Sequence, residues 1–237
     1  MTLEALAPLF TGPLAPYADR LVPASDPRPG VSGRALLDPE ILAERLARFA
    51  RNYEAPEPRA VASIWSKHHL ASLVVPTLLA ELVLGRTLPV ALDAVEVIAG
   101  ADGRSSAFRL RESDPPLAPR GRFAPLIDGH LEPLFDGLAA VSGLRPRVLW
   151  SNAGLVFDGI ARQAEALPLP DRAGLDALRR LLADARRPDG RPNALHAPVR
   201  LVGPAGAASR RRRVCCLRYL IPAQGLCGTC PIETRPA

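Results

Sequence analysis

Outside residues 215–230 the 237-residue chain contains no cysteine. A framework of disulfides through the fold is thereby excluded, and a chain of this length needs none, because it can bury a sizeable core. Lysine is almost as scarce: Lys67 is the only one, and arginine carries nearly all of the basic charge. The formal charge of +6 invites a nucleic-acid reading. Arginine in place of lysine, however, is a pattern that genomic base composition produces by itself. Aromatic residues make up only 5% of the chain, so platforms for stacking bases are missing. The net charge decides nothing, and no nucleic-acid partner is expected. Gly-x-Gly-x-x-Gly and Walker-type loops are absent, so no bound nucleotide is indicated. No apolar run reaches 18 residues; the best stretch, 70–84, is broken by Pro76 and Glu81. Met1 to Phe10 lacks the basic start of an export signal, so a cytoplasmic location without a transmembrane segment is expected. Peripheral contact with a membrane surface is left open.

What the chain does have is a dense thiol motif. Cys215 and Cys216 are adjacent, ten residues follow, and Cys227 and Cys230 are two residues apart, giving C-C-x10-C-x2-C. Thiolate is a soft ligand suited to zinc and iron–sulfur clusters. Three readings compete. Paired disulfides fit poorly in a reducing compartment. Structural zinc usually takes two knuckles with spacers, and the first pair here has none. Adjacent cysteines reach one ion only if the backbone turns sharply or the thiolates diverge, whereas a two-iron cluster is a larger object for them to grasp. The order of preference is cluster, then zinc, then disulfides.

The rest of the sequence reads as an α+β fold: a mainly helical domain with a small antiparallel sheet and a C-terminal iron–sulfur cluster loop. Residues 1–35, rich in proline, read as an irregular lead-in, and residues 36–237 as a single domain. Asp38-Pro39 starts a helix that runs to about Tyr53. A second helix spans about Arg59 to Leu84, stopped by Gly85 and kinked or split by Pro76. Residues 94–98 and 107–111 form a hairpin about Ala101-Asp102-Gly103. A Pro-rich loop follows at 113–125. Helices then centre on Leu131–Val141, Leu149–Ala164 and Leu175–Leu182, the last capped near Asp171. Strands are expected at 198–202 and 211–216, with a turn at 203–206, and the thiol motif leaves the end of the last strand.

The stretch Arg213-Val214-Cys215-Cys216-Leu217-Arg218-Tyr219, followed by Cys227-Gly228-Thr229-Cys230-Pro231, resembles the C-terminal motif of the FhuF-like ferric siderophore reductases. Trp65-Ser66-Lys67 with Pro76, and Leu149-Trp150-Ser151-Asn152-Ala153-Gly154, are also similar to that family, and Asn193-x-Leu195 is a weaker match. The resemblance implies a [2Fe-2S] cluster on Cys215, Cys216, Cys227 and Cys230, with the cluster-binding segment at 213–231. It implies reduction of a ferric siderophore, of hydroxamate type, with release of Fe(II). The electron would come from an external donor, a protein such as a ferredoxin or flavoprotein. Trp65, Lys67, Trp150 and Asn152 become the candidates for the substrate-binding wall.

The run Arg210–Arg213 and Arg218 flank the first thiol pair. Positive charge nearby favours the reduced, more negative cluster. Strand alternation points only some of these side chains inward; Arg213 and Arg218 are the expected tuning residues, and at least two of the run are solvated. His68 and His69 lie about 100° apart on a helix and cannot easily bind one ion together, so both are read as structural or surface histidines. Two rival functions remain: a zinc-stabilised module that binds through the arginine run, and an iron–sulfur electron carrier or sensor.

Overall fold

A computed structural model describes residues 8, 10–85, 87–111, 121–166, 172–204, 207–222 and 224–232. The expected cap at Asp171, residues 113–120 of the Pro-rich loop and residues 205–206 of the last turn lie outside them.

Helix α1 (Pro39–Ala50) begins as its sequence dictates. The Asp38 carboxylate accepts from the N–H groups of Glu40 and Ile41, and Pro39 occupies the first turn. Leu42, Leu46 and Phe49 form its buried face. Helix α2 (Pro58–Leu84) is capped by Glu57 and ends at Gly85, whose φ of 68° suits a residue without Cβ. It is buried on nearly every side, which makes it the central core helix. Its length and composition would also allow a membrane crossing, but its surface is spent on packing within the domain. Of the two outcomes expected at Pro76, a kink or a split, the split does not occur: the helix runs through it as one element. Packing all round holds the turn that lacks one hydrogen bond.

The α+β class holds, with a different sheet from the one expected. Strands β1 (Leu21–Val22), β2 (Val31–Ser32), β3 (Val95–Ala99) and β4 (Ser105–Leu110) form one sheet in the order β1-β4-β3-β2. The β3–β4 hairpin is antiparallel, as its alternation predicts, but β1 joins β4 in parallel, with Leu21 opposite Phe108. The lead-in is therefore not irregular throughout: it supplies both edge strands. Strands β5 (Val199–Val202) and β6 (Ser209–Arg212) form a separate antiparallel pair. Between the sheets lie α3 (Ala124–Leu126), a π turn (Ile127–Leu131), α4 (Glu132–Ser142), α5 (Pro146–Gln163) and α6 (Ala173–Ala183).

Two sets of contacts tie the strands to the helices. Helix α5 packs along α2, and Gly154 on α5 lets Pro198 close on it; a Cβ there would sit 2.6 Å from the proline ring. This seats the β5–β6 pair on α5. Deeper in the core, Ser105 Oγ lies 2.8 Å from His69 Nδ1, His69 Nε2 lies 2.9 Å from His130 Nε2, and His130 Nδ1 lies 2.7 Å from the Val90 carbonyl. The carbonyl can only accept. His130 therefore donates from Nδ1, accepts from His69 at Nε2, and His69 accepts the Ser105 hydroxyl proton. The chain of bonds joins α2, β4 and the π turn, and it gives His69 the structural role expected of it.

Candidate metal centre

Strand β6 ends at Arg212, four residues earlier than expected, because the chain there begins to fold back on itself. The Arg212 N–H donates to the Thr229 carbonyl at 2.9 Å, and the Arg213 N–H to that of Pro198 at 3.1 Å. Thr229 lies between Cys227 and Cys230, so one backbone bond brings the two thiol pairs side by side. Leu217 then takes a left-handed backbone, φ 59°, costly for a residue with a Cβ. That turn answers the difficulty of adjacent cysteines: it reverses the chain directly after Cys216 and leads into the turn Arg218–Leu220. The Leu217 N–H points back at Cys215 Sγ, 3.4 Å away. On the other side, the Cys230 N–H donates to the Cys227 carbonyl and closes a tight knuckle.

All four thiols are free. Cys216 and Cys230 are buried, while Cys215 and Cys227 are partly exposed, so the set has an inner and an outer edge. Cys216 Sγ and Cys227 Sγ are 3.7 Å apart. Among the described residues, no three thiols, imidazoles or carboxylates converge on the position of a single ion. A donor set of four soft thiols suits a thiolate-bound metal centre, either zinc or an iron–sulfur cluster.

The electrostatics call for a cationic centre among the thiols. The Cys227 thiol and the Lys67 ammonium beside Cys216 favour its thiolate, helped by the Arg218 backbone N–H. The second ionisation is resisted: its bond to Cys216, burial and the charge on Cys216 push Cys227 up. Burial raises Cys215 as well. Four bare thiolates repel one another, and a cationic core lets all four ionise together.

Behind the thiols lies a buried polar network that sequence reasoning does not find. Arg212 has no exposed surface. Its Nη2 donates to Asn152 Oδ1 at 2.6 Å and Ser151 Oγ at 3.1 Å. Asn152 Nδ2 donates at 3.1 Å to the Ser63 carbonyl, Ser63 Oγ and Ser66 Oγ. Ser63 Oγ in turn donates to the Cys216 carbonyl at 2.7 Å. Of the expected tuning residues, Arg213 turns outward to the Ala197 carbonyl, and the Arg218 guanidinium goes to Gln224. Arg210 pairs with Asp158. The period of two along β6, counted from Arg210, was the available signal for an inward Arg212; its partners on α5 were not visible.

The four expected substrate residues are not brought together. Trp65 is wholly buried, with its indole N–H on the Gly103 carbonyl and its ring stacked on His69. Asn152 is buried as the partner of Arg212. Trp150, two residues away on α5 and so on another face, packs edge-on against Phe135 and lines a cavity of about 220 Å³ with Asn193 and Leu195. Asn193 itself ties down the end of α6 through the Leu181 and Asp184 carbonyls. Only Lys67, half-buried beside Cys216, is both at the thiols and within reach of solvent.

Residues 63–209 match the family described as "Ferric iron reductase FhuF-like transporter", and residues 212–231 match the "FhuF 2Fe-2S C-terminal domain". The chain belongs to the FhuF-like ferric iron reductase family. The second match selects the [2Fe-2S] cluster over zinc for the four cysteines and makes the protein an oxidoreductase. A "Ferric siderophore reductase" from Escherichia coli (strain K12) is 25% identical over 206 residues, covering 82% of this chain and 76% of the relative. Among solved structures, ATP-bound aerobactin synthetase IucA from a hypervirulent pathotype of Klebsiella pneumoniae superposes with a TM-score of 0.56 at 12% identity. The match covers 71% of this chain but only 37% of the synthetase. That likeness is one of fold.

Proposed function

We propose that this protein acts in the cytoplasm and reduces ferric siderophores, taking one electron at a time from an external protein donor and passing it to the chelated iron. Siderophores hold Fe(III) through hard oxygen atoms and hold Fe(II) far more weakly, so one electron added to the chelate frees the metal. The balance is one donor electron in, one Fe(III) reduced to Fe(II), and the chelator released unchanged. The observation that carries this reading is the two-edged thiol set. Cys216 and Cys230 root it in the protein, and Cys215 and Cys227 keep one edge near solvent, where a chelate can approach without entering a pocket. A [2Fe-2S] cluster held by these four residues would supply the one-electron chemistry. Lys67, half-buried beside Cys216 and within reach of solvent, meets anionic chelates. Hydroxamates are the proposed chelate class, and a ferredoxin or flavoprotein the proposed donor.

The test is anaerobic purification with iron and sulfide analysis, followed by mixing the reduced protein with ferric hydroxamate, catecholate and citrate chelates in the presence of an Fe(II) trap. Reoxidation of the protein with one trapped Fe(II) per electron is expected, fastest with hydroxamates. A protein that holds iron and sulfide but is reoxidised by none of these chelates is a carrier or sensor instead.

A further inference from the structure

We infer that Arg212 is the internal counter-charge of the metal centre, held in place by Asn152, and that it sets how readily the centre accepts an electron. The inference rests on the reading that the four cysteines hold a [2Fe-2S] cluster.

The guanidinium is unusual in its surroundings. It is fully buried, and among the described residues no carboxylate pairs with it. Its neighbours in the run differ: Arg210 has Asp158, and Arg213 reaches the surface. Burying a charge without a partner is costly, so such residues are retained where something else balances them. Asn152 and Ser151 occupy only Nη2. Nε and Nη1 are buried with no hydrogen-bond partner among the described residues. Two charged donors are thus held inside the protein with nothing among those residues to receive them.

Their location names the receiver. Arg212 stands three residues before Cys215, and its backbone N–H is bonded to Thr229, between Cys227 and Cys230. Its backbone therefore sits at the seam of both thiol pairs, and its guanidinium, on Asn152 and Ser151, lies within electrostatic reach of Cys215 and Cys227. A cluster with four thiolates carries about −2 when oxidised and about −3 when reduced, and a buried cation stabilises the second state more than the first.

The orientation is also fixed. The Ser63 carbonyl can only accept, so the Asn152 nitrogen must face α2 and its oxygen must face Arg212. Ser63 Oγ gives its own proton to the Cys216 carbonyl and Ser66 Oγ gives its proton to the Ser63 carbonyl, which leaves both hydroxyl oxygens free to accept from Asn152. The two Asn152 protons are shared among these three acceptors on α2, while its oxygen is left to Arg212 alone. Arg212 is thus a tuning residue, and Asn152 a positioning residue, for the centre.

The test uses the cluster-loaded protein and reads three things: iron and sulfide per chain, the midpoint potential, and the dependence of that potential on salt. R212Q should shift the potential to more negative values, R212K should recover part of the shift, and salt should leave the difference intact because the charge is buried. N152D keeps the arginine but gives it a carboxylate, and should also shift the potential negative with iron and sulfide at parent levels. R213Q, exposed, serves as the control and should change little. If R212Q does not retain the cluster, N152D decides. Parent-like potentials in the loaded variants overturn the inference. A parent chain that binds no iron and sulfide overturns the cluster reading, and the counter-charge with it.

Discussion

Two buried polar networks cross helix α2, and they differ in one respect. The Ser105–His69–His130–Val90 chain is closed: each proton it carries has an acceptor, and it ends on a backbone carbonyl. The Arg212–Asn152–Ser63 network is open, with two arginine donors that meet no partner among the described residues. A closed network ties elements together and is complete without a ligand. An open one has room for a further partner, and here it is the one of the two that is bonded to the thiol loop.

The division of roles meets its most severe test at the thiols. Cys216→Ser should lose the cluster almost entirely, because alkoxide replaces thiolate poorly, while the folded body persists. Iron and sulfide analysis with the visible spectrum measures the loss, and far-ultraviolet circular dichroism measures the fold. A full complement of iron in this variant would remove Cys216 from the ligand set.

On the closed network the opposite pattern is expected. His130→Ala should cost about 3 kcal/mol of stability through the cavity and the orphaned His69 N–H, without moving the midpoint potential. Burial holds His130 down to about 4 from 6.5, and His69 is lowered by the same cause. Both are neutral in the folded protein and take up protons on unfolding. The stability they confer is complete above pH 6.5 and falls below it; the His130 share is lost as the pH falls from 6.5 toward 4. His130→Ala should flatten that acid limb in denaturant titrations across this range. An unchanged limb would deny the pair its role.

The smallest effect belongs to the open side. Lys67→Met should retain cluster and fold and reduce turnover a fewfold, more for anionic than for cationic ferric chelates. The difference should fade as salt rises, unlike that of Arg212. Equal turnover of both chelates by variant and parent would move the substrate elsewhere.

Much of the fold was legible in the sequence. Local signals set the start of α1 at Asp38-Pro39 and the stop of α2 at Gly85, because a cap and a left-handed glycine act within one turn. The β3–β4 hairpin was legible from alternation. The two-residue strands β1 and β2 were not: such strands show no period, and they exist because β3 and β4 offer free edges. The four cysteines were plain from spacing and residue type. Arg212 was hidden among identical neighbours, and the partners that distinguish it lie on α2 and α5, far away in sequence. Trp65 is the reverse case, since a residue that stands out in sequence proved to be interior packing.

The Ser63 hydroxyl on the Cys216 carbonyl joins residues 153 positions apart and fastens the thiol loop to the most deeply buried helix. A loop fastened to the core in this way keeps its place whatever it carries. A cluster held there would change charge against a frame set by α2, not by the loop's own few turns.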